Sequence, residues 1–270
     1  MIRNYKTQTI NDERVNYHNV KKVDRLEDLF KSIKVDKIII IAPETNLHNI
    51  KIARKLNKFN LLISDLKTLK IFSSKKKTYQ MLTKIGIPVV QIEKNITKSS
   101  NNLFIIKPVF GAGSENVYLT RLKKNHIIDK NVVIQKYYPD TKGSFTMLCK
   151  EKEAIVLSCS EQVTEIKNKK LLQKGIITGG LEKDRKKFQS LAEKIAKNFP
   201  GLFGFIGIDV VKIYDKWHII EINARFTSSL IGIHQAYGGS AIKKISDLYV
   251  ERKIDKRKIK LKKKVKVFFN

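Results

Sequence analysis

The sequence predicts an α+β fold: a small α/β front domain followed by a larger unit built on antiparallel strands. Three observations carry this. Phe188, Leu191, Ala192, Ile195, Ala196 and Phe199 form one apolar helical stripe, closed by Pro200-Gly201. Gly204 to Arg225 holds two strand-like runs on either side of Tyr214-Asp215-Lys216, which reads as a hairpin with a three-residue turn. Between Leu103 and Cys159 strand patterns succeed one another with only turns between them.

The elements follow in order. Residues 1–34 are polar and resist assignment. Lys37 to Glu44, with four consecutive isoleucines, reads as a buried parallel strand ending in a loop; Leu47 to Phe59 reads as a helix and Leu61 to Ile63 as a second strand. A cleaner helix follows, with Ser73 or Ser74 as N-cap, apolar positions at Met81, Leu82 and Ile85, and Gly86 and Pro88 at its exit. Leu103 to Leu119 then reads as strand, glycine loop, strand; Asn131 to Tyr138 and Phe145 to Cys159 read as further strands. The expected division is a front domain at 1–72 and a second domain at 73–270.

The chain has 270 residues, with 55 Lys+Arg against 25 Asp+Glu and a net charge of +30. Such a charge fits a nucleic-acid-binding face. It also fits a compositional bias, and the lysines occur in every segment rather than on one arm, which argues against nucleic acid as the principal partner. The dense run from Lys253 to Lys266 alternates with apolar residues, so it reads as a solvated strand or a guard on a sheet edge. No apolar run approaches the ~20 residues needed to cross a bilayer, and the first 30 residues lack the pattern of a signal peptide. A cytoplasmic protein with no membrane partner is the expectation. The two cysteines, Cys149 and Cys159, lie in no metal-binding pattern and read as small, half-buried apolar residues.

Three segments could carry chemistry. "FIIKPVFGAGSENVYL" places Gly111, Ala112, Gly113 and Ser114 after a strand that contains Lys107. No Lys follows the glycines, so this is not a Walker loop, and the third glycine of a dinucleotide fingerprint is replaced by Asn116. A lysine inside an apolar strand costs desolvation unless an anion meets it, so a phosphate beneath a hairpin cap fits; an ordinary glycine turn with a snorkelling lysine fits as well. In the final hairpin, pairing Ile213 with Trp217 sets Asp209 opposite Glu221 and Gly207 opposite Asn223. Facing carboxylates repel, and their neighbours along the strands are apolar. A cation such as Mg²⁺ between them accounts for the pattern; pairing with lysines on a solvated face is the alternative. The strand end Gln135-Lys136-Tyr137-Tyr138-Pro139 could read a flat base, or simply pack in the core.

The lysine-rich helix start "SSKKKTYQMLTKIGIP", Lys-Pro before a glycine loop, "VIQKYY" and "DVV…EINAR" resemble, in that order and spacing, the ATP-grasp superfamily, from about Ser73 to Gly239. The resemblance implies ATP held between two α+β subdomains, with Mg²⁺ (or Mn²⁺) on its phosphates. It implies that Lys75 and Lys107 contact phosphates, Gly111 to Ser114 form a lid, and Gln135, Lys136, Tyr137 and Tyr138 form the adenine hinge. Asp140 is the nearest acid for the ribose, Asp209, Glu221 and Asn223 are the metal ligands, and Arg225 is the cation beside the transferred phosphoryl group. Three positions depart from the pattern: Lys136 where an acid follows the Gln, Asp140 as the only nearby ribose acid, and Ala224 where a Pro usually follows the Asn.

"IIIIAPET", "SCSEQV" (Ser158 to Val163) and "INARFTSSLIG" look like the archaeal carboxylate–amine ligases of methanofuran biosynthesis within that superfamily. That implies an amide between the side-chain carboxylate of L-glutamate and tyramine, formed through an acyl phosphate with release of ADP and phosphate. Gln162, Thr227, Ser228 and Ser229 would bind the acid, and Phe226 and Tyr237 would supply aromatic surface for a phenol ring. A lysine–ornithine type of ligase and a non-catalytic RNA-binding protein are the alternatives. A homodimer is compatible with either enzyme.

Overall fold

The computed structural model describes His18 and residues 25–96, 101–112, 116–123 and 127–269. Gly113 and Ser114 lie outside the described residues. Helices α1 (Leu26–Ser32), α2 (His48–Lys55) and α3 (Leu66–Phe72) gather round Ile38, Ile40, Ile50 and Leu56. The isoleucine run is not a fully buried strand. Only Ile38 pairs, in parallel, with Leu61. Ile38 and Ile40 are buried, whereas Ile39 and Ile41 are 43% and 60% exposed. A parallel strand is covered on both faces when helices flank it on both sides, and here the helices cover one. The expected helix from Leu47 to Phe59 begins only at His48, because Asn46 and Leu47 take left-handed φ of 52° and 57°.

Helix α4 (Lys75–Lys84) is capped by Ser74, whose hydroxyl accepts from the Lys77 N–H. It exits through Gly86 at φ +66°, a value that favours glycine.

The remaining strands are β1 (Phe104–Pro108), β2 (Tyr118–Thr120), β3 (Val132–Lys136), β4 (Lys142–Lys150), β5 (Glu153–Lys167), β6 (Lys170–Thr178), β7 (Phe203–Ile213), β8 (Lys216–Asn223) and β9 (Val265–Phe268). They form one antiparallel sheet in the order β3-β1-β2-β6-β5-β4-β7-β8, with β9 also on β6. Phe145 to Cys159 is divided between β4 and β5 at a two-residue turn whose first residue, Glu151, has φ 56°. The basic C-terminal run ends in β9, which covers the β6 edge. Between β2 and β6 the described strand pairing is Tyr118↔Lys170, where the β1–β3 part joins the larger part of the sheet.

Helix α5 (Arg185–Asn198) lies on one face of the larger part, with Phe188 stacked on Phe145 at 4.9 Å and tilted against Trp217 at 5.2 Å. Both cysteines are free and fully buried rather than half-buried, and Cys149 and Cys159 belong to this core. Helices α6 (Ile233–Tyr237) and α7 (Gly239–Val250) cover part of the opposite face through Leu148, Leu157, Phe205 and Leu248. The rest of that face is polar. No described helix is long and apolar enough to cross a membrane.

Candidate active site

The hairpin β7–β8 sets the site. Its turn has two residues, Tyr214 and Asp215, with φ of 45° and 61°, the positive values of a type I′ turn. Pairing therefore starts at Ile213↔Lys216, one residue from the expected Ile213–Trp217 register. A bulge leaves Ile220 as an extra residue between Val210↔Ile219 and Asp209↔Glu221. From there Asp209 faces Glu221 and Gly207 faces Asn223.

Asp209 accepts hydrogen bonds from Gln162 Nε2 at 2.7 Å and from Asn223 Nδ2 at 3.3 Å. Burial, and then repulsion by Glu221, pushes its carboxyl up to about 7 despite the bond from Gln162. Glu221 pairs with Lys75 Nζ at 3.4 Å, and Lys75 also donates to the Gly111 carbonyl at 2.8 Å. Lys107 is 6% exposed. Burial pulls its ammonium down to about 8, with Lys75 adding repulsion and Glu221 and Asp209 opposing the shift.

Two facing carboxylates and a carboxamide oxygen are the donor chemistry of Mg²⁺. The crowding that raises Asp209 is the field a divalent cation relieves, so these residues fit one. Among the described residues no three of His, Cys, Asp and Glu converge, so an amide such as Asn223 would have to complete the set.

Arg225 is held by a residue that sequence reasoning missed. Glu44, at the end of the isoleucine run, takes its Nε at 3.0 and 3.1 Å and its Nη2 at 2.8 Å. Nη1 donates to the Phe226 carbonyl at 3.0 Å, and Nη2 also reaches Asn223 Oδ1 at 3.4 Å. The available signal was an acid closing an aliphatic run in a chain poor in acids.

The hinge segment lies on β3 and beyond. Gln135 turns its amide to the Val90 carbonyl at 2.7 Å, and the Tyr137 N–H donates to the Leu103 carbonyl at 2.8 Å. Lys136 lies over the Tyr138 ring and Lys142 over Tyr137, while Asp140 is exposed and lends its carbonyl to Lys142. A narrow cavity of about 10 Å³ runs between Lys75, Lys107, Gln135 and Ile219. Ala112, half-buried, follows Gly111.

Gln162 is engaged with Asp209. Ser229 is buried and bonded to Thr227 at 2.6 Å and Thr146 at 2.9 Å, whereas Ser228 is exposed. The two aromatics expected to face a phenol are committed to packing instead. Phe226 stacks on Phe205 at 4.7 Å and Tyr249 at 5.4 Å, and Tyr237 is 1% exposed with its hydroxyl on Glu182. An apolar ring between two others gains more from burial there than at a cleft wall.

Residues 72–229 match the ATP-grasp domain, and the chain belongs to the ATP-grasp family. It is similar to the tyramine–L-glutamate ligase of Methanocaldococcus fervens, at 27% identity over 237 residues, 82% of this chain and 72% of that protein. The tyramine–L-glutamate ligase of Methanocaldococcus jannaschii is 26% identical over 216 residues, 78% of this chain and 62% of that protein. The biotin carboxylase domain of Hydrogenobacter thermophilus 2-oxoglutarate carboxylase, in complex with MgADP, ADP and bicarbonate, has a TM-score of 0.70 at 15% identity and covers 87% of this chain. This chain spans 58% of that domain and so shares its fold.

Proposed function

We propose that this protein is an ADP-forming carboxylate–amine ligase that joins the side-chain carboxylate of L-glutamate to tyramine. The observation that carries the reading is the facing pair Asp209–Glu221 beside Lys75 and Lys107, within an ATP-grasp chain whose curated relatives bear that activity in their name. In this reading residues 1–72 form the front domain and 73–270 the nucleotide-binding one.

ATP donates its γ-phosphoryl group to the glutamate side chain, giving an acyl phosphate and ADP; the tyramine amine then displaces phosphate and the amide remains. Mg²⁺, held by Asp209, Glu221 and Asn223, would supply neutralisation of phosphate charge. Lys75 and Lys107 bring fixed cations to the same buried place, where low dielectric strengthens them. For Lys107 to meet a phosphate, the narrow cavity beside it must widen. Such widening would have to loosen the contacts that hold the β1–β3 part near β8, among them Lys75 on the Gly111 carbonyl and Gln135 on the Val90 carbonyl. Two buried thiols and a need for ATP suit the cytoplasm.

The test mixes protein, ATP, Mg²⁺ and L-glutamate with tyramine, lysine, ornithine or ammonia, and follows phosphate release and product mass. Product with tyramine and little with the others is expected. Turnover with lysine or ornithine and none with tyramine overturns the substrate assignment.

A further inference from the structure

The facing acids are the end of a longer row. In register across the sheet, Glu221 on β8 faces Asp209 on β7, Asp209 faces Ser144 on β4, Ser144 faces Ser160 on β5, and Ser160 faces Thr178 on β6. One step along the strands a second row reads Asn223, Gly207, Thr146, Ser158. Residues directly opposite in an antiparallel pair share a face. The alternate positions, Phe145, Met147, Cys159, Ile206 and Ile208, all point to the α5 core. A bulge that leaves Leu157 unpaired keeps Ser158 and Ser160 on the polar face as Val156 and Cys159 stay on the other.

Thr146, Ser158, Ser160 and Thr178 are each 0% exposed. The turn Thr227–Ile231 lies over them, with Ser229 bonded to Thr146 at 2.9 Å and Thr178 to the Ile231 carbonyl at 3.1 Å. Gly207 is a glycine for this reason: a Cβ there would come within 2.7 Å of the Thr227 side chain. Yet among the described residues Ser158 Oγ and Ser160 Oγ find no hydrogen-bond partner. A buried unpaired hydroxyl gives up its bonds to water and gains none in return. An apolar sheet face would have avoided that cost, as the other face does.

We infer that this hydroxyl floor binds the α-amino and α-carboxylate end of the amino-acid substrate, with Ser158 and Ser160 as specificity-determining residues. The inference rests on the ligase reading above and deepens it. Adjacent strands lie about 4.8 Å apart, so the serines of β4 and β5 stand one and two strand spacings from Asp209. A glutamate whose side-chain carboxylate lies about one strand spacing from Asp209, rather than on it, carries its α-groups roughly 5–6 Å further, which brings them to the second spacing. A hydroxyl both donates and accepts, so one row serves an ammonium and a carboxylate together; lysines or acids would serve only one. The substrate's polar groups take over the bonds that now hold Ser229 and Ile231, and the turn shifts to admit them.

The experiment compares wild-type protein with Ser158→Ala and Ser160→Ala, using ATP, Mg²⁺, tyramine and L-glutamate, and separately glutarate and 4-aminobutyrate in place of glutamate. Each variant should raise KM for L-glutamate about tenfold or more, leave KM for ATP within about twofold, and melt at or above the wild-type temperature. The wild type should favour glutamate over the two analogues, and the variants should narrow that preference. A glutamate KM unchanged in both variants overturns the inference and leaves the hydroxyls a structural water site. A lowered melting temperature with KM for ATP and glutamate rising together overturns it in favour of a packing role. If the wild type takes another amino acid instead, the substrate assignment falls while the variants must still lose that amino acid. Wild-type protein without any amino-acid-dependent turnover overturns both.

Discussion

Glu44 and Arg225, 181 residues apart, are joined as a fork in which the carboxylate takes Nε and Nη2 at 2.8–3.1 Å. The pair ties the front helices to Arg225, just beyond the end of the strand that carries Glu221, and Glu44 is 3% exposed. A guanidinium held on a carboxylate in this way has a fixed plane, which a lysine could not reproduce.

Glu44 therefore acts as a positioning residue for Arg225. Glu44→Ala should lower stability by about 3 kcal/mol, since it leaves a partly buried cation unpaired. Glu44→Gln should keep the fold and lower kcat with little change in KM for ATP. Steady-state kinetics and thermal melts check both; a Glu44→Gln enzyme with wild-type kcat would remove the positioning role.

Asp209→Asn and Glu221→Gln should each lower Mg²⁺-dependent turnover by about a hundredfold or more. In metal-free buffer Asp209→Asn should melt no lower than wild type, because it removes one of two repelling carboxylates, whereas Glu221→Gln also gives up the ion pair with Lys75. A large loss of metal-free stability would show that the acids serve the fold.

Lys107→Met should raise KM for ATP about tenfold or more, as a buried charge-assisted contact is lost. The same change should not lower the melting temperature, since burial already disfavours the ammonium. Nucleotide affinity equal to wild type would refute a phosphate contact.

Lys244 on α7 is 3% exposed and meets Asp255 at 2.7 Å. Arg257, then Lys244, hold the Asp255 carboxyl well below the usual carboxylate range. Its folded pKa lies below its unfolded one, so its stabilisation is present above the unfolded value of about 3.9 and is lost as pH falls below it. Melting temperatures of wild type and Asp255→Asn should differ steadily from pH 7 to pH 5 and converge below about pH 4. A gap that persists at the lowest pH would contradict this.

The charge of +30 should act as a generic field. RNA binding should weaken steeply between about 50 and 200 mM salt, and amide formation should persist after nuclease treatment. Sequence-selective RNA binding at physiological salt would favour a different role.

The α5 helix and the hairpin were legible because each shows its period directly: the apolar stripe on α5 and the alternation on β7. The parity of Asp209, Glu221 and Asn223 was readable for the same reason. The hairpin's tip was not, since a Tyr-Asp type I′ turn lacks the usual Asn-Gly mark and nothing in the letters announces a bulge at Ile220. The isoleucine run misled because four like residues carry no period. Burial of alternate side chains depended on which face the helices reached. Glu44 and the Ser158–Ser160 floor escaped because their meaning is long-range. A serine in a strand is unremarkable until the strands beside it supply Asp209 on one side and Thr178 on the other.

The turn at Tyr214-Asp215 and the bulge at Ile220 each displace the pairing by one residue, in opposite senses. They act as a slip clutch between the hairpin's tip and its base. The tip, where Tyr214 is 89% exposed, can gain or shed a residue if the bulge is lost or shifted with it, and the acids keep their orientation. Tip length is thereby insulated from chemistry, which leaves that loop free to drift or be redesigned as a handle without retuning the centre.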